Sequence, residues 1–427
     1  MKKFIIPFVF VLVWSEVSNA QLSPLITSWV QNKTDTGFAG ALTNVQEVNY
    51  SNTFVYVKTE DIPSWIPEEY DWPNNPWLAV PMNYQFKLRL DPTPNMGPDR
   101  KTGFGHIGLW KNGCSIYNPK DAKTYQDSNV WFQNAWYWEH LIGESFDSCI
   151  GHPNGSGEYH THASPVCLYD KNDSTHASPL VGYAFDSYPI YGGYGHANPL
   201  DTTSEIVRLK SSYRLRDMTT RTSLPDGTIL STEYYGPSIT ERPLGAYMED
   251  YEYVEGFGDL DEHNGRFAIT KDYPQGIYAY FTTLAWVADT FDYSIKPIFP
   301  FVIGTTYYGR VYPADGNTGP GSGFVEIDED VTLYYSSSTI VEAGKINRIN
   351  LYPNPTKGLL NIELSDNPFS QESKGVVYDA QGRIVDQFSL IQGELNVYDF
   401  SELTNGIYSL RIQSGSLVQT HKIVVEK

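Results

Sequence analysis

The sequence predicts a mainly β protein: a large, irregular β-sandwich or barrel-like domain followed by a small Ig-like antiparallel β-sandwich. Three observations carry this. Tyr (32), Phe (20) and Trp (10) are abundant, and these residues suit a pleated, half-buried surface. Gly (35) and Pro (27) recur at short intervals and cut the chain into short segments. Helical periodicity is scarce, with Glu205–Arg214 as a weak candidate.

The chain opens on Lys2 and Lys3, then an apolar run, Phe4 to Trp14, then Ser18-Asn19-Ala20. This reads as a secretory signal over 1–20, with cleavage after Ala20. The run is too short to span a bilayer, and no later segment approaches about 18 continuous apolar residues, so no transmembrane segment is expected in the mature chain. Thr53–Lys58 and Asn83–Leu88 alternate as half-buried strands do. A β-rich domain is expected over 21–310. Pro313–Gly323 carries no apolar pattern and reads as a linker or long loop, and Val331–Tyr335 is strand-like, so 311–345 is expected to connect two modules.

Charge and cysteine content limit the function classes. The 50 acidic against 30 basic residues give a net charge of −20, a field that repels phosphate backbones and argues against nucleic acid. Export permits disulfides, and Cys149 with Cys167 is the natural pair among three cysteines. Closing that loop would stabilise the fold by roughly 3 kcal/mol in the chain-entropy model. Cys114 is expected to be a buried free thiol, since no basic neighbour is evident to activate it.

The last module, about 346–427, shows strands at Leu359–Leu364, Gly375–Tyr378, Gly406–Ile412 and Gln419–Val425, with a turn at Ala380-Gln381-Gly382-Arg383. Leu351-Tyr352-Pro353-Asn354-Pro355, Gly358, Asn361-Ile362, Val377 to Arg383, Leu403 to Tyr408 and Lys422 before Val424 resemble the C-terminal sorting domain of type IX secretion substrates. The resemblance implies handling by the type IX machinery, passage across two membranes, removal of the domain, and release or attachment at the cell surface. It says nothing about chemistry.

Eight of the nine histidines fall between His106 and His263. Within Tyr159-His160-Thr161-His162 the two imidazoles share one face if the segment is a strand, and Tyr159 and Thr161 face the other way. The turn chemistry of His152-Pro153-Asn154-Gly155-Ser156-Gly157 would fold His152 back as a third ligand. Three imidazoles suit copper or zinc better than calcium. The alternative is that these histidines only hydrogen-bond carbonyls in a dense loop region.

A short repeat runs through this region. Asp147 to Gly155 followed by Gly157-Glu158-Tyr159-His160-Thr161-His162 resembles Asp259 to Gly265 followed by Gly276-Ile277-Tyr278-Ala279-Tyr280-Phe281. Matching His152-Pro153-Asn154-Gly155 to His263-Asn264-Gly265 gives His152 and His263 equivalent places, facing a shared cleft. Asp186 is a further candidate as ligand, as orienter of a ligand, or as a turn-forming residue. Asp259, Asp261 and Glu262 are a candidate base or cation cluster, or an exposed turn. The aromatic residues Trp131, Trp136 and Trp138 would form a sugar-stacking face or core.

Gly151-His152-Pro153, Tyr159 to His162, Pro165 to Leu168, Ser178 to Gly192, Glu249 to Val254 and Gly258 to Phe267 resemble the YHYH-domain family over about 40–310. Thr161 stands where the second Tyr of the name-giving motif belongs, and Ser187 where Gly is common. The family implies an exported protein and carries no settled activity. The expected metal ligands are therefore His152, His160 and His162, completed by His263 or Asp186. The alternatives are a non-catalytic surface module for adhesion or glycan binding, and a metal-dependent hydrolase or oxidase.

Overall fold

Alternation along Tyr84-Gln85-Phe86-Lys87-Leu88 buries Tyr84, Phe86 and Leu88 on one side of a strand. In a computed structural model, this strand, β3 (Tyr84–Arg89), pairs antiparallel with β2 (Phe54–Thr59), and β2 with β1 (Val45–Tyr50). The structure describes residues 22–427 except 33, 67–69, 71, 73, 287–294, 320, 337–347, 366–371, 380–383, 392–394 and 415–416. The expected signal segment and the turn at Ala380–Arg383 lie outside the described residues.

The larger sheet has eight strands: β4 (His106–Trp110), β5 (Ser115–Tyr117), β6 (Gly151–Pro153), β7 (Tyr159–Thr161), β8 (Leu180–Ala184), β9 (Pro189–Tyr191), β10 (Gly265–Ala268) and β11 (Ile277–Phe281). Their order is β10–β11–β9–β8–β4–β5–β7–β6, and the sheet is open. It is built twice over. The β4–β5 hairpin carries the β6–β7 hairpin through a parallel contact, His160 opposite Ser115. The β8–β9 hairpin carries β10–β11 through the same parallel contact, Ile190 opposite Tyr280. The halves meet antiparallel where Gly182 faces Trp110 and Ala184 faces Gly108.

Backbone detail fixes the alignment of the halves. Asp147 Oδ1 accepts from the N–H groups of Cys149 and Gly151, and its Oδ2 accepts from the hydroxyl of Tyr159 (2.8 Å). Asp261 Oδ1 accepts from the N–H groups of His263 and Gly265 and from the hydroxyl of Tyr278 (2.9 Å). Ile150 and Asn264 both take φ near +70° (70° and 65°). A Cβ on Gly151 or Gly265 would collide with the tyrosine hydroxyl, so each corner requires glycine. The true frame is therefore Asp147…Gly151 onto Asp261…Gly265. His263 takes the place of Cys149, and His152 takes that of Arg266, so His152 and His263 are not equivalent.

One face of the large sheet buries Ile116, Tyr159, Ile190, Tyr278 and Tyr280. The other buries Leu109, Tyr183, Phe185, Ala279 and Phe281 against Val48, Val55, Phe86 and Leu88 of β1–β3. Phe86 stacks on Phe185 at 5.2 Å, so the large domain is a sandwich rather than a barrel.

One expectation needs correction. Glu205–Arg214 is not helical: Ile206–Arg208 pairs with Tyr194–His196, and Tyr213–Leu215 pairs with Tyr251–Tyr253. The β-branched Ile206-Val207 and the Tyr213–Tyr253 contact favour extended backbone there. The glycine-rich stretch after Tyr312 is irregular and is tied to neighbouring strands. Asp315 binds Arg89 with two hydrogen bonds (2.9 and 2.8 Å), and Ser322 meets His106 Nδ1 at 2.7 Å. Beyond it, β12 (Thr332–Ser336) pairs with β1 and completes the smaller sheet of the sandwich.

The C-terminal module has a core of its own, including Leu360, Ile362, Leu410 and Ile423. Its sheets are β13 (Arg348–Tyr352), β14 (Leu359–Ser365) and β17 (Leu395–Asp399), and β15 (Glu372–Tyr378), β16 (Ile384–Ile391), β18 (Gly406–Ser414) and β19 (Leu417–Val425). All pairs are antiparallel, consistent with a small sandwich.

Candidate metal centre

The β6–β7 hairpin sets His152 directly opposite His160. Cys149 and Cys167 are joined in a disulfide that ties the start of this hairpin to the segment following His162. Thr161 points to the other sheet face, where its hydroxyl accepts from Trp110 Nε1 (2.8 Å). His160 and His162 share the face that carries Tyr117, whose ring stacks on His160 at 4.1 Å.

The fourth member comes from elsewhere. Trp136–Ile142 forms a π-helical turn, with Gly143 N–H donating to the Trp138 carbonyl (2.9 Å). This turn delivers Glu139, whose Oε2 lies 3.1 Å from His152 Nε2 and 3.3 Å from His162 Nε2. His160 Nε2 and His162 Nε2 are 3.1 Å apart. The ligand atoms of Glu139, His152, His160 and His162 all lie within 4.8 Å of one another. The three histidines are buried and Glu139 is half-buried.

The outer hydrogen bonds assign the ring protons. His162 Nδ1 faces the Asn118 carbonyl (2.5 Å) and His160 Nδ1 faces that of Glu158 (3.3 Å). A carbonyl only accepts, so both Nδ1 atoms donate. Ser145 gives its proton to the Glu139 carbonyl (2.8 Å), leaving its oxygen to accept from His152 Nδ1 (3.1 Å). All three Nε2 lone pairs therefore turn inward toward one another and toward a carboxylate. That arrangement is repulsive unless a cation sits among them. Without a metal the cation is a proton. Burial opposes charge on His162, yet the adjacent Glu139 lifts its pKa above the ordinary value. Burial also opposes charge on Glu139, but the adjacent His162 and His152 hold its carboxyl far below the usual range. Burial, then the neighbouring His152 and His162, push His160 well below its ordinary value.

A tetrahedral ion with ligands at 2.0–2.1 Å has ligand–ligand edges of about 3.3 Å. Three of the six ligand–ligand separations, 3.1, 3.1 and 3.3 Å, are near that edge, and all six lie within 4.8 Å. The donor set, three imidazoles and one carboxylate, suits zinc or copper.

The other candidates lie apart from this cluster. His263 Nδ1 meets the hydroxyl (2.9 Å) and carbonyl (3.2 Å) of Thr306. Asp186 is buried at the β8–β9 turn, where Oδ2 accepts from Tyr280 (2.5 Å) and Gly309 N–H (2.8 Å). Burial raises its pKa to about 6 despite those donors. Asp186→Asn would set an amide N–H against these donors; it is expected to destabilise the fold by about 1–3 kcal/mol in a thermal melt while leaving metal uptake unchanged. Asp261 is spent on the β10 corner, Asp259 accepts from Lys210 N–H, and Glu262 stays mostly exposed. Trp131 and Trp136 are buried, and Cys114 is a buried free thiol whose pKa burial raises.

Glu139 was missed because it is distant in sequence and sits on a turn with no helical periodicity. The available signal was one acidic residue in the aromatic run Trp136-Tyr137-Trp138.

Residues 85–291 match the family model described as YHYH protein, and residues 350–426 match that described as Secretion system C-terminal sorting domain. No curated protein matches the chain significantly. Among the described residues no helix is long and apolar enough to cross a membrane.

Proposed function

We propose that this chain, which carries a YHYH domain followed by a type IX sorting domain, is an exported binding protein for a divalent transition metal. The sorting domain implies recognition by the type IX machinery and delivery to the cell surface or beyond. The ion is held by His152, His160, His162 and Glu139. The carrying observation is that three outward-donating imidazoles turn their Nε2 lone pairs on a shared carboxylate. Four protein ligands make a closed set, which favours holding over turnover, since catalytic zinc keeps one position open. Zinc is the occupant this set fits best, and copper is its competitor by the same donors.

Binding must displace the proton shared at the cluster. Imidazoles ligate in the neutral form, so affinity falls as pH drops. His162 holds its proton above the ordinary imidazole value near 6.5, so the fall begins above that pH. Titration of the chelated mature protein with Zn²⁺ across pH 5.5–8 is expected to give one site and an affinity loss of about tenfold per pH unit below the midpoint, with about one proton released. Absence of uptake of both Zn²⁺ and Cu²⁺ would exclude the reading.

A further inference from the structure

The duplicated sheet has a second edge, and the residues standing there in place of the metal ligands are not ligands. On the aligned halves, Arg266 replaces His152, Ala279 replaces His160, and Phe281 replaces His162. Tyr191 takes the place of Tyr117 and packs on Phe281 at 5.8 Å, at the position where Tyr117 meets His162 edge-on at 5.9 Å. The same sheet face here borders a cavity of about 910 Å³, a size suited to a small molecule.

The charge of this cavity runs against that of the chain. It is lined by Lys111, Arg266 and Lys271 against a single carboxylate, Asp272, in a protein of net charge −20. Asp272 is already engaged by the hydroxyl of Tyr191 (3.1 Å). Among the described residues, none of the three cations forms an ion pair. Arg266 is held in place by donation from Nη2 to the His196 carbonyl (2.6 Å) and by Phe281 at 5.4 Å, while its buried Nε has no partner. Burial lowers the pKa of both Lys111 and Arg266. Asp272 acts on Lys111 and Asp259 on Arg266, but neither carboxylate forms an ion pair with its neighbour. A fixed, partly desolvated guanidinium with an unpartnered Nε is costly, and an anionic ligand removes that cost.

We infer that this cavity binds a small organic anion, its carboxylate or phosphate meeting Arg266 and Lys111 and its body packing on Tyr191, Tyr194 and Phe281. The site stands independently of the metal centre. An acid sugar and a sugar phosphate present the two anionic groups on the same ring, and the neutral sugar is the control.

Calorimetric titration of the full mature chain with D-glucuronate, D-glucose 6-phosphate and D-glucose tests this. Saturable binding of at least one anion is expected, weakened by added salt, with none for glucose. The anion that binds identifies the group. Arg266→Gln and Lys111→Met are each expected to weaken binding at least about tenfold, with melting curves confirming folded variants. Affinity should be the same before and after chelation of metal. The inference is overturned if neither anion binds below about 10 mM, if glucose binds as well as the anions, if both folded variants bind like wild type, or if binding requires the metal.

Discussion

Replacing His160 and His162 together by alanine is expected to abolish metal binding. A four-ligand zinc site is worth about 10–16 kcal/mol at neutral pH, and this change removes half of the donors. The affinity should fall by at least about a thousandfold, about 4 kcal/mol. Thermal melting reads the same change through linkage. Zn²⁺ at a thousand times its Kd should stabilise the wild-type chain by about 4 kcal/mol and leave the double variant unmoved. Thr161→Tyr, which restores the name-giving motif of the family, is a useful contrast. Thr161 lies on the opposite sheet face, against Trp110, so this change should affect packing and not the ligand set. Loss of metal binding in His160→Ala/His162→Ala with an unchanged melt of the metal-free protein would place the effect at the ligands.

Removing residues 350–426 is expected to abolish delivery to the cell surface or medium while leaving the metal centre intact. The sorting module has its own core, built from Leu360, Ile362, Leu410 and Ile423, and none of the four metal-centre residues lies in it. Immunoblots of cell fractions should show the truncated chain held inside the outer membrane. The purified truncated chain should bind Zn²⁺ as the full chain does. Delivery of the truncated chain at the normal level would contradict the role given to the module.

Much of the architecture was legible because strands of period two and Gly/Pro turns leave a direct trace in sequence. The His160–His162 pair was legible for the same reason: a two-residue spacing on a strand puts both rings on one face. His152 was legible from the turn chemistry between it and Tyr159, and the hairpin sets it opposite His160. The frame of the repeat was harder to read. Matching the letters His-Asn-Gly aligned His152 with His263, whereas the conformation is set by an Asp that accepts from its own turn and from a tyrosine two strands of backbone away. That bond connects Asp147 to Tyr159 and Asp261 to Tyr278 across intervals of different length, so it leaves no fixed spacing. Of the three roles open to Asp186, the turn-forming one matches its surroundings: its oxygens are taken by Tyr280, Gly309 and Tyr188 at a tight turn. Glu139 was illegible because a π-turn carries no periodic signature, and its approach to the histidines is a tertiary contact. How the loop after Tyr312 is held was not legible either, because its ties are tertiary: Arg89 to Asp315, His106 to Ser322, and backbone bonds between Gln85 and both Gly323 and Val325.

X-ray absorption at the zinc edge of the loaded mature protein tests the central claim most directly. The account predicts one ion per chain with three nitrogen neighbours and one oxygen neighbour, all at about 2.0–2.2 Å, and with multiple-scattering features of imidazole. A spectrum of oxygen ligands alone, or a protein that holds no stoichiometric zinc or copper, would contradict it.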